Sequence, residues 1–186
     1  MRIYELQPDG ERYRSLTLVE ELGFNLLADL TEPGSGRAWT PLTAEWIYDD
    51  LNAGLAKSDF PTLGSTPVFS ARAVDELVDL LVENGELLPL SLSDGAYFVY
   101  RTVRLLDALD EDRSELVRFS SSGRVMRVVK YAFHENVSFP PVFQIPQLRV
   151  TVFVSENFVQ RVMESGLTGF AFKPVWDSEH PHATRS

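Results

Sequence analysis

Two segments of this chain pass from an apolar, β-branched run into a helix across a single serine. Val68-Phe69-Ser70 leads into a helix spanning about 71–84, and Val152-Phe153-Val154-Ser155 leads into one spanning about 156–165. Serine is a favoured N-cap because its hydroxyl accepts a bond from an otherwise orphaned amide of the first turn. In the first helix Val74, Leu77, Val78 and Leu81 recur at i, i+3, i+4 and i+7, and Gly85 stands at the C′ position. Gly166 closes the second helix in the same way. Phe69 with Val74, and Val154 with Val159, have the spacing of a hydrophobic staple. The units differ in length, Ser70 to Gly85 against Ser155 to Gly166, so the echo reads as one set of local rules used twice rather than an internal repeat.

The rest of the chain is strand-like. Ile3–Leu6 is a short strand ended by the turn residues Pro8, Asp9 and Gly10. Residues 15–30 stay open between helix and extended structure, because Gly23 interrupts the pattern. Residues 31–36 form a loop, and the aromatic segment 37–48 suits a strand with Pro41 at an edge or bulge. Tyr97–Val103 and Arg124–Phe133 are rich in β-branched and aromatic residues, the second with Arg124, Arg127 and Lys130 on a wet face. The prolines at 140, 141 and 146 confine FPPVFQIP to a sheet edge. Leu148–Val154 and a last short strand, Phe170–Phe172, follow. Most connections are too short for parallel crossovers, so the expectation is an α+β fold: a mainly antiparallel sheet packed with two amphipathic helices. One domain covers 1–176, and residues 177–186 form a loose tail without an apolar anchor.

Charge narrows the function classes. The chain has 186 residues, 27 acids and 17 bases, a formal net charge of −10, and no cysteine. There is then no disulfide framework, thiolate zinc site or cysteine nucleophile, which is compatible with a reducing cytoplasm. No apolar run reaches the ~20 residues of a membrane span, and the opening lacks a signal pattern. Nucleic acid is not expected as a partner, since its phosphates repel so acidic a chain. The charge is uneven. Residues 38–96 hold ten acids against only Lys57 and Arg72, whereas residues 97–130 hold more bases than acids.

Few groups suggest catalysis. His134 sits at a strand end beside Glu135, and His180 and His182 lie in the tail, where they offer at most a weak metal site. No nucleophile elbow, P-loop or dinucleotide fingerprint occurs. The densest acid run holds Asp107, Asp110, Glu111, Asp112 and Glu115, which reads as an acidic turn or as the carboxylate pair of a small hydrolase. The bases between 101 and 130, with Tyr97, Tyr100 and Tyr131 for stacking, offer a phosphate surface on one reading and cross-strand ion pairs on another. The sharper clue is on the first helix. Asp75, Asp79 and Glu83 repeat at i, i+4 and i+8, with Glu76 beside them. Like charges at that spacing cost a helix about 0.2–0.5 kcal/mol per pair, and Glu83 lies at the wrong end of the dipole to be repaid. The stripe therefore points to a cationic partner surface.

Three phrases carry a family resemblance: DFPTLGSTPVFSARAVDEL (59–77), YRTVRLLDALDEDRSE (100–115) and VFVSENFVQRVMESGLTGFAFKPV (152–175). With Asp59, Phe60, Ser70, Leu106–Asp110, Ser114, Ser155, Glu156 and Gly166–Gly169 in place, the chain resembles the eleventh immunity-protein family of bacterial polymorphic toxin systems over about residues 43–176. The resemblance implies a protein that binds and neutralises a cognate toxin, with no catalytic residue, metal or cofactor to carry over. The acid stripe is not part of it. Two other classes remain: a small hydrolase using Asp110 or Glu111 with His134, and a ligand-binding or scaffold module without a toxin.

Overall fold

The computed structural model describes residues 1–20, 22–29, 39–48 and 54–179. The loop expected at 31–36 and the tail histidines, His180 and His182, lie outside them. The elements in chain order are β1 (Arg2–Pro8), β2 (Leu16–Leu18), α1 (Leu22–Asp29), β3 (Ala44–Trp46), β4 (Val68–Ser70), α2 (Ala71–Leu81), β5 (Gly85–Leu90), β6 (Tyr97–Thr102), β7 (Glu115–Arg118), β8 (Val125–Lys130), β9 (Val142–Ile145), β10 (Leu148–Ser155), α3 (Glu156–Glu164) and β11 (Phe170–Asp177). Among the described residues every pairing between these strands is antiparallel, and the parallel pairs are isolated bridges such as Thr43 with Ser91.

The central sheet has the order β11-β1-β10-β9. Both of its faces are buried, which is why Val152-Phe153-Val154 reads as a continuous apolar run. Leu6, Val152 and Val154 point to the first core, where Phe69, Leu77, Leu81 and Phe158 bring in α2 and α3. Ile3, Phe143, Phe153 and Val175 point the other way, into a second core with Leu109, Tyr131 and Phe133. A third core joins β2 and β3 to the sheet β4-β6-β5, through Leu16, Trp46, Val68 and Val99. The edge expected for FPPVFQIP is borne out, and the backbone of 104–106 covers it: Leu106 N–H donates to Gln144 O at 2.8 Å and Gln144 N–H to Arg104 O at 2.9 Å.

Several expectations need correction. The last strand runs eight residues, not three, because Pro174 is tolerated on an edge strand and the register shifts beside it, between Ile3 and Tyr4. The open segment 15–30 holds both forms, β2 and then α1, with Gly23 in the first helical turn. Among the described residues of the aromatic segment only Ala44–Trp46 form a strand. On α2 the buried stripe is Ala73, Leu77, Leu80 and Leu81, and Val78 is 44 % exposed. Nor is Gly85 a C′ cap. The helix ends at Val82, and its last carbonyls are met by side chains: Asn84 Nδ2 donates to Leu80 O and the Tyr100 hydroxyl to Leu81 O, both at 2.9 Å. Gly85 opens β5 because a Cβ there would lie 2.5 Å from the Tyr100 hydroxyl and the Arg101 carbonyl.

Candidate partner-binding face

The first and third phrases of the resemblance, 59–77 and 152–175, meet at one carboxylate. Asp59 is buried and accepts from Ser70 Oγ (2.8 Å), Arg72 Nη1 (2.9 Å), Thr168 N–H (2.9 Å) and Thr168 Oγ1 (3.1 Å). Ser70 Oγ in turn accepts from Ala73 N–H at 3.1 Å, the N-cap bond of α2. Arg72 reaches on to the carbonyls of Ser165 (2.8 Å) and Gly166 (3.3 Å), so a cation sits at the negative end of α3. That end is a Schellman turn: Gly166 has φ +60°, Leu167 N–H bonds Val162 O, and Gly166 N–H bonds Met163 O. Gly169, at φ +85°, lets the chain pass where a Cβ would lie 2.6 Å from Ser58 Cβ. The junction therefore fixes the start of α2 against the end of α3. Ser155 occupies the N-cap of α3 as expected, but its side chain makes no cap bond.

The acid stripe divides in two on this brace. Asp79 is held by Arg161 of α3 through two bonds of 3.1 and 3.2 Å, and Glu76 accepts from Ser165 Oγ at 3.0 Å. Asp75 and Glu83 are exposed and have no such partner among the described residues, Glu83 lying in the turn beyond α2 rather than on its last turn. Between them along the helix stand Val78 and Val82, 44 % and 54 % exposed. The outer face of α2 is thus a small apolar ridge with an unpaired carboxylate toward each end. Sequence reasoning found the acids. It missed the ridge because Val78 fits the apolar spacing of a core position.

The other candidates fare differently. Asp110 and His134 do come together, with Oδ2 and Nδ1 at 3.8 Å. Asp110 Oδ1 is spent on a turn, accepting from Arg113 N–H at 3.1 Å, and His134 is about half exposed. Glu111 goes elsewhere: Gln147 and Arg118 donate to it and hold its carboxyl below the usual range, the wrong direction for a general acid. The stacking platform is contradicted, because Tyr100 and Tyr131 are buried and their hydroxyls bond Leu81 O and Glu5 Oε1. The cross-strand reading holds for Arg101, which pairs with Glu86 directly opposite it in the β5–β6 ladder. Among the described residues no three His, Asp or Glu side chains form a metal set, and no helix is long and apolar enough to cross a membrane.

Residues 90–177 match the model of an immunity protein family, Imm11. The match covers just under half of the chain and takes in the second and third phrases of the resemblance, while residues 59–77 lie outside it. No curated protein matches the chain.

Proposed function

We propose that this chain neutralises a cognate bacterial toxin by stoichiometric, non-catalytic binding. The observation that carries the reading is the immunity-family match over residues 90–177. The outer face of α2 supports it as a contact surface for a cationic partner. Asp75 and Glu83 steer the encounter, and Val78 and Val82 supply apolar area once water is expelled. Fast capture is what an inhibitor of a lethal enzyme needs. Glu76 and Asp79 belong to the same face but work mainly by bracing it against α3. Capture takes place in the cytoplasm on this reading.

The test is to express the neighbouring gene of the same operon with and without this chain in a test bacterium. Growth is scored, and the two products are tested for co-purification. The expected outcome is toxicity relieved by this chain together with a stable complex. Relief without a complex would indicate an enzyme that reverses the damage. The double variant D75K/E83K is expected to slow association about tenfold at low salt and flatten its salt dependence. An unchanged rate removes α2 from the account. The 3.8 Å approach of Asp110 and His134 favours a hydrolase as the competing reading. D110N and H134A are expected to leave neutralisation intact, and its loss in both would favour the hydrolase.

A further inference from the structure

In a chain whose acids outnumber its bases, a base that finds no acid is the exception. Most described bases close an ion pair within the chain. Arg104, Arg124, Arg127, Lys130 and Arg149 close none among the described residues, and three of these, Arg124, Arg127 and Lys130, stand together on one hairpin, β7–β8. Glu115 lies opposite Lys130 in the ladder without an ion pair forming, and Glu111 is taken by Arg118 and Gln147. On the same hairpin Phe119, Met126 and Val129 are 43 %, 46 % and 46 % exposed.

The hairpin is an arm. It forms a sheet of its own with two strands; Leu116 and Val128 pack on the second core, and its base is held by the Ser114–Ala132 bonds and by Arg118 on Glu111. Its tip, residues 119–124, is exposed throughout. A two-stranded ribbon with exposed apolar side chains and unpaired edges is marginal alone and apt to take up another strand. We infer that the β7–β8 hairpin is a second contact arm for the toxin, taking an extended acidic segment with interspersed apolar side chains; this rests on the neutralisation reading. Phe119, Met126 and Val129 supply the area, and Arg124, Arg127 and Lys130 select the sign. Those apolar groups and the net charge of −10 favour protein over nucleic acid as the occupant. Together with the anionic face of α2, the arm gives the molecule two contact regions of opposite sign. A partner docked the wrong way round would set like charges against each other at both, so the pair fixes orientation.

The test follows amide resonances of the isotope-labelled full chain on titration with a short synthetic peptide alternating valine and glutamate. Perturbations are expected across 115–130, to weaken about tenfold in R124E/R127E/K130E and to persist in D75K/E83K. The variant R124Q/R127Q/K130Q, which removes charge without adding acids, is expected to lie between, and melting curves identify any variant that fails to fold. Perturbations centred elsewhere, or equal binding by the reversed hairpin, overturn the proposal. So does tighter binding of single-stranded oligothymidylate at the same residues, which would make the arm a phosphate site. The same variants are then mixed with the toxin of the neighbouring gene. Unchanged association rates there overturn the arm and leave the neutralisation reading standing. Failure of the unaltered chain to capture the toxin overturns that reading instead.

Discussion

The Asp59 junction and the β7–β8 hairpin treat charge in opposite ways. At the junction one buried carboxylate accepts four bonds, and its cation, Arg72, donates onward to the end of α3. On the hairpin three cations stand without an acid, beside apolar side chains left in water. A group satisfied within the chain contributes to the fold, and removing it leaves its partners unmet. A group left unsatisfied at the surface contributes little to stability, so its effect should show in binding.

That contrast can be broken by substitution, and the junction should respond most. D59A strands the Ser70 hydroxyl, the Arg72 guanidinium and the Thr168 amide, and is expected to cost about 3 kcal/mol in denaturant melts. A loss under 1 kcal/mol would mean that water replaces the carboxylate and that the junction is not the brace described. Next comes G166A, which places a side chain at φ +60° and should cost about 1–2 kcal/mol. R161A, which removes the Asp79 pair on the half-exposed flank between α2 and α3, is expected to cost about 0.5 kcal/mol. The neutral variant R124Q/R127Q/K130Q should fall within about 0.5 kcal/mol of zero, since none of the three closes an ion pair.

Alkaline titration sharpens the same contrast from the core. Burial raises Tyr100 and Tyr131 above their ordinary value of 10.0, so the unfolded chain loses these protons first. Stability is then full below pH 10 and falls as pH rises beyond it, because the folded state binds more protons than the unfolded one. Y100F should make that fall shallower, at the cost of leaving Leu81 O unmet. A slope unchanged by the substitution would assign the loss to other groups.

The parts of this fold legible in the sequence are those fixed by near neighbours. Ser70 and Gly166 follow local rules, and both stand where the spacing puts them. The prolines around Val142–Ile145 marked an edge, since a missing amide cannot sit inside a ladder. The stripe on α2 was legible as a period but not in its centre: Leu80 and Val78 both fit an apolar face, and only the neighbouring elements decide which is buried. Gly85 shows the same limit, its need for space coming from Tyr100 on another strand. At the candidate site the four acids were visible, but Arg161 and Ser165 lie more than eighty positions away, so the split between braced and free carboxylates was not.

The position of β1 sets a timetable for protection. β1 lies between β10 and β11, which come much later in the chain, so the central sheet stays open until synthesis has passed Asp177. At ~5–20 residues per second that wait is roughly 10–40 seconds for each molecule. On the neutralisation reading proposed above, the chain must be translated well ahead of the toxin it meets, or be held in reserve. For the same reason residues 90–177 made alone would lack the strand that joins β10 to β11.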